Sequence, residues 1–138
     1  KEIAENKLSL YEWMRRAPEE NVVAKELTNG YKLTTDCKSR ILYWSEKFSL
    51  EKAIVLAYHE MLSKVPDPLV IAKHGKSLAE KIMEEVKVCL KDFEELGNFS
   101  IFMEFDEKLI ERKINPGSIA DIVAAGIYLA LMEGAKIA

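Results

Sequence analysis

The sequence predicts an all-α bundle of about seven helices, and three observations carry that prediction. Nearly every segment places apolar residues at helical spacing, and no run alternates over strand length. The few Gly and Pro residues stand at the joints between those segments rather than inside them. Aliphatic side chains are plentiful and 31% of the residues are charged, the proportions of a helical protein with a solvated outer face. Connections are short, so residues 1–138 are expected to form a single all-α domain.

Ile3, Lys7, Leu10 and Met14 lie along one side of a first helix, with Leu8 and Tyr11 beside them. Pro18, followed by Glu19 and Glu20, starts a second that Asn29-Gly30 ends. A third runs from about Thr35, on a stripe of Leu33, Cys37, Ile41, Trp44 and Phe48. Ser49 caps a fourth, whose stripe runs Leu50, Ala53, Ile54, Ala57, Tyr58, Met61, Leu62 and Val65. Asp67-Pro68 reads as N-cap and first helical residue of a short helix that Gly75 interrupts. Ser77 with Glu80 forms a capping-box pattern for a long helix carrying Leu78, Ile82, Val86, Cys89, Leu90 and Phe93, closed by Gly97-Asn98. Its charges from Glu80 to Glu95 form an outer face. Phe102, Phe105, Leu109 and Ile110 mark the next helix. Pro116-Gly117 then forces a turn, and Ser118 pairs with Asp121 to open a last helix that is apolar almost all round and so is expected to be buried on every face.

Composition also excludes function classes. A net charge of −3 leaves no basic footprint for nucleic acid. The longest apolar run, Ile122 to Met132, is too short to cross a bilayer. Cys37 and Cys89 lack metal-type spacing and read as buried thiols of a reducing compartment; with no signal peptide visible, a cytoplasmic protein is expected.

Three places can carry chemistry. In the Asn115–Asp121 turn, Asn115 can donate and accept, and Gly117 lets a ligand approach the backbone. Ser118 and Asp121 add polar groups beside a helix N-terminus, where free N–H groups and the dipole favour an anion. A carboxylate in the first turn of a fully buried helix is expected to point into a mostly buried place, although an ordinary cap has the same pattern. In Asp67–Gly75, Asp67 opens a helix, while Lys73 and His74 before Gly75 suit phosphate oxygens. The alternative there is a capping aspartate and two solvated cations. Thr34-Thr35-Asp36 with Lys38 and Arg40 reads better as a cap followed by surface charge. His59 sits at the edge of a polar face and is expected to be solvated, and the Tyr and Trp side chains are expected in the core. No metal triad, nucleophile elbow, P-loop or dinucleotide fingerprint is present.

Pro66-Asp67-Pro68-Leu69-Val70-Ile71-Ala72-Lys73-His74-Gly75, followed about forty residues later by Asn115-Pro116-Gly117-Ser118-Ile119-Ala120-Asp121, resembles the C-terminal half of the triphosphoribosyl-dephospho-coenzyme A synthase (CitG-like) family. The stretch from Val23 to Leu33 resembles its shorter, archaeal-type members. The resemblance implies an all-α transferase that uses ATP and 3′-dephospho-coenzyme A and releases adenine. It also implies a site in which Asp67 and Asp121 are catalytic and Lys73, His74, Gly75, Asn115, Gly117 and Ser118 bind substrate. Lys73 would contact phosphate, and Asp121 a ribose hydroxyl or a magnesium ion. The sequence departs from the family pattern at Pro68, where threonine is usual, and at Ala72, where arginine is usual. The second change removes a fork of donors.

On this resemblance the chain is expected to be the C-terminal portion of a longer protein, without the family's N-terminal motifs. It would then expose apolar surface that a second copy, as a dimer, or the absent half would cover. The reading from a different class is a non-catalytic helical domain that binds a nucleotide or a partner chain.

Overall fold

The computed structural model describes residues 32–134, and the two helices expected before Lys32 lie outside the described residues. Six helices follow: α1 (Lys32–Ser45), α2 (Leu50–Lys64), α3 (Pro68–His74), α4 (Lys76–Leu96), α5 (Ser100–Glu111) and α6 (Gly117–Met132). No strand occurs among the described residues, in accord with the all-α expectation.

Helix α2 is the hub. It packs against α1, α4 and α6, while α3 bridges α4 and α6. Its buried surface is correspondingly wider than one stripe: Leu56 and His59 are buried along with Ala53, Ala57, Met61 and Leu62. Ser49 caps it as the sequence predicts, accepting from the Lys52 N–H at 3.3 Å. The main core joins Cys37 and Ile41 of α1 to Met61 and Leu62 of α2, Val70 of α3, Ile82 and Val86 of α4, and Ile119 and Val123 of α6. Helices α1 and α6 approach closely because Gly126 has no side chain. A Cβ there would lie 2.9 Å from Cys37 Sγ and 3.0 Å from its Cβ.

A second, aromatic cluster fills the space between α2, α4 and α5. Phe93 lies 4.6 Å from Phe99 and 5.4 Å from Phe102, and Phe48 lies 5.2 Å from Phe99, measured between ring centres. These spacings are those of attractive edge-to-face and tilted pairs. Polar clamps tie the outer helices: Arg40 forms a bidentate pair with Glu60 at 3.0 and 2.9 Å, and the Trp44 indole donates to the same carboxylate at 2.9 Å. Lys38 meets Glu133 at 2.8 Å, so Lys38 and Arg40 serve helix pairing.

The helix ends differ from the expected caps in two places. Helix α4 starts at Lys76 with Gly75 as its N-cap and no side-chain bond, so the Ser77–Glu80 box does not form. Gly75 is required there by its φ of 96°, a conformation L side chains rarely adopt. Gly97 ends α4 in the left-handed conformation, as expected.

Helix α6 is buried on one side only. Ile119, Ile122, Val123, Gly126 and Ala130 face the core, while Ala124, Ala125, Tyr128 and Met132 are exposed. An apolar sequence without polar punctuation gives no sign of which side the neighbours cover. Ile110 is likewise exposed beside the buried Leu109, and Tyr43 and Tyr128 stand outside the core. Cys37 is buried, but Cys89 is only half-buried. Burial pushes the Cys37 thiol up to about 12. A thiol reagent at neutral pH is therefore expected to leave Cys37 unmodified in the folded protein and to react with it after denaturation. Mass spectrometry of the labelled peptides checks this, and native labelling of Cys37 would contradict the packing of α1 on α6.

Candidate functional site

Asp67 is the centre of the site. Its carboxylate is 2% exposed. One oxygen, Oδ1, accepts from the backbone N–H of Leu69 at 2.8 Å and of Val70 at 3.1 Å, capping α3. The other, Oδ2, accepts from the Ile119 N–H at 2.8 Å, in the first turn of α6. The Ser118 N–H bears on the same carboxylate. A single side chain thus closes the N-termini of two helices whose starts are separated by almost fifty residues. Burial pushes its pKa above the ordinary carboxylate value, and the backbone donors pull it back only in part.

This arrangement changes how the Asn115–Asp121 turn works. Helix α6 begins at Gly117 with Pro116 as its N-cap and no side-chain cap bond, so the Ser118–Asp121 capping box does not form. The anion at the helix N-terminus is Asp67, supplied from another element. Asp121 does not point into a buried place: it is exposed, on the same side of α6 as Ala125, Tyr128 and Met132. The expectation of a buried carboxylate fails because it assumed a helix buried all round.

Gly117 lies against α3, where a Cβ would come within 2.8 Å of Cδ2 at the movable end of the Leu69 side chain. Asn115 is exposed, and its carbonyl accepts from the Gly117 N–H at 2.8 Å. Ser118 is half-buried. Lys73, His74 and Gly75 lie at the far end of α3, exposed, roughly 9 Å along the axis from its start. Among the described residues, neither Lys73 nor His74 forms an ion pair with the protein. The structure therefore joins the two motifs through Asp67, and leaves Lys73 and His74 at a separate edge.

Beside the turn lies an open pocket of about 410 Å³. Leu109, Ile110, Ile114 and Pro116 supply its apolar lining, and Tyr58, Asp106, Lys113 and Asn115 its polar groups. Behind it stands His59, which is 1% exposed rather than solvated. Its Nδ1 is 2.7 Å from the Val55 carbonyl oxygen and its Nε2 is 2.9 Å from Asp106 Oδ1. The ring thus bridges the α2 backbone and the Asp106 carboxylate. Phe102 packs 4.5 Å from it and Tyr58 4.9 Å, centre to centre. Periodicity within α2 placed His59 on the polar side. Helix α5 covers that side, which no pattern internal to α2 reveals. Burial, with the Asp106 and Asp67 carboxylates adding to it, pushes the Tyr58 phenol up, so it remains a donor. Among the described residues no group of three or more His, Cys, Asp or Glu side chains is placed to hold a metal ion. No helix among them is long and apolar enough to cross a membrane.

Fold and junction together define a helical domain in which two sequence motifs are locked by one buried carboxylate beside a pocket of mixed polarity. The chain belongs to the CitG family, described as ATP:dephospho-CoA triphosphoribosyl transferase, whose family model matches residues 1–137. It is similar to a solved structure from Archaeoglobus fulgidus described as a proposed triphosphoribosyl-dephospho-CoA synthase, with 44% sequence identity and a TM-score of 0.79. That match covers 98% of this chain and 57% of the other, so the chain spans little more than half the length of that relative. No curated protein matches the chain. The assignment to a C-terminal half is not borne out; the family match runs over residues 1–137.

Proposed function

We propose that residues 1–138 act as one all-α domain of an enzyme that transfers the triphosphoribosyl group of ATP to 3′-dephospho-coenzyme A. The observation that carries this reading is the Asp67 bridge, which makes one structural unit of the two motifs that resemble the family's. In the reaction the bond from ribose C1′ to adenine breaks and its electrons leave with the base. The acceptor 2′-hydroxyl loses its proton as its oxygen bonds to C1′, and adenine takes up a proton. Enzyme groups accelerate such a transfer by holding acceptor and anomeric carbon in line and by stabilising oxocarbenium charge.

Within this reading Asp67, whose oxygens already accept three backbone hydrogen bonds, acts as a positioning residue rather than touching substrate. Asp121 is the exposed carboxylate open to a sugar hydroxyl or to magnesium carried by the triphosphate. Lys73 and His74, exposed at the end of α3 beside Gly75, are proposed phosphate contacts, and Asn115, Gly117 and Ser118 are proposed substrate contacts at the turn before α6. Cytoplasmic location and dimerisation belong to the same proposal, and sedimentation at micromolar concentration tests the latter.

The test is incubation of the full-length protein with ATP, Mg²⁺ and dephospho-coenzyme A, with chromatographic detection of free adenine. Adenine that requires both nucleotides supports the transfer, and none sinks it. The alternative, a helical domain that binds nucleotide without turnover, is favoured by Ala72, which offers no guanidinium, and predicts calorimetric binding with no adenine. Under either reading Lys73→Ala is expected to weaken ATP binding about tenfold, the worth of one exposed charge-assisted contact. Unchanged affinity would remove Lys73 from the site.

A further inference from the structure

The pocket between α2, α5 and the turn before α6 contains groups that the motif resemblance does not assign. Asp106 is fixed there from behind: one carboxylate oxygen is held by the buried His59 ring, yet the side chain is 42% exposed. An acceptor held rigidly on one side and open on the other is preorganised for a hydroxyl donor. Lys113, at the pocket's rim, has a φ of 56°, rare for a residue with a Cβ, and forms no ion pair among the described residues. Tyr58 adds a protonated phenol and Asn115 an amide.

This set selects a ligand class by its signs. A cationic ligand is opposed by Lys113, and a bare phosphate by Asp106. A molecule with free hydroxyls at one end and a phosphate at the other satisfies both, and the aliphatic lining accepts its apolar face. The volume lies within the range of small-molecule sites.

We propose that this pocket seats the ribose diol of a nucleotide, with Asp106 accepting from the diol, Lys113 meeting a phosphate, and His59 acting as the positioning residue behind Asp106. The assignment rests on the proposed transferase reading only for the choice of nucleotides to test, since ATP and dephospho-coenzyme A both carry a free diol.

Calorimetry on the full-length protein tests it with ATP and with 2′,3′-dideoxy-ATP. The wild type is expected to prefer ATP by at least about tenfold, and Asp106→Asn to abolish the preference by weakening ATP alone. Asparagine keeps an oxygen that can accept from the His59 ring, so the variant should retain its helical circular dichroism. A parallel titration with dephospho-coenzyme A separates the two sources: loss on Asp106→Asn for that nucleotide alone assigns the pocket to the acceptor. Equal binding of ATP and its dideoxy analogue, with dephospho-coenzyme A insensitive to Asp106→Asn, overturns the proposal, as does absence of binding by either nucleotide. Adenine release reports separately on the transferase reading, because nucleotide binding at Asp106 can persist without turnover.

Discussion

Replacing Asp67 with alanine is expected to destabilise the protein by at least about 3 kcal/mol, since three backbone N–H groups lose their acceptor and each buried orphan costs about 1–3 kcal/mol. Both α3 and the first turn of α6 lose their closure together, so the two motifs should separate. Urea denaturation followed by circular dichroism measures the loss. Asp67→Asn is expected to fall between, because an amide oxygen can still accept while its NH₂ group meets a donor. A loss under about 1 kcal/mol for the alanine variant would show that the carboxylate is not the lock.

The same residue makes a prediction about pH. Burial raises Asp67 above its unfolded value, so the folded chain holds that proton more tightly than the unfolded one. The stability it contributes through the proton is fully present below the ordinary carboxylate value and is lost as pH rises through the folded value. Asp67→Asn removes the ionisation, and its denaturation midpoint should lack that part of the wild-type slope across the same window.

Phe102→Ala is the second large effect, with an expected cost of about 3–5 kcal/mol. The ring is fully buried, packs on Phe93, and lies against His59. Its removal leaves a cavity that the aromatic cluster cannot fill from one side. Thermal melting should show a fall of roughly 10–20 °C. The substitution also removes the surface that holds the imidazole beneath Asp106, so any ligand bound through Asp106 should weaken in parallel. Phe102→Leu keeps most of the volume and is expected to recover much of the stability.

Much of this architecture was legible in residue order. Ser49 capping α2, Asp67-Pro68 opening α3 and Gly97 closing α4 are local events, decided within a few residues by hydrogen-bond geometry and by the freedom of glycine at positive φ. The apolar stripes of α2 and α4 are local too, because a helix presents every third or fourth residue to one side. The resemblance carried by Asp67–Gly75 and Asn115–Asp121 also needed nothing beyond order and spacing. The capping boxes at Ser77 and Ser118 show the limit, since the right residues at the right spacing form no box when a glycine or a distant carboxylate closes the helix instead.

By itself, then, the sequence determined an all-α chain, the approximate helix starts and stops, and the family to which its two motifs point. Only the tertiary structure decided that Asp67 serves both motifs, that Asp121 faces outward, and that His59 is buried behind Asp106. The reason is the range of the forces involved. Caps and stripes arise from neighbours in the chain, whereas burial of His59 needs α5 laid across α2, and the bond to Asp67 Oδ2 comes from an N–H fifty-two residues away. Periodicity reports which side of a helix is apolar, but only packing selects what covers the other side.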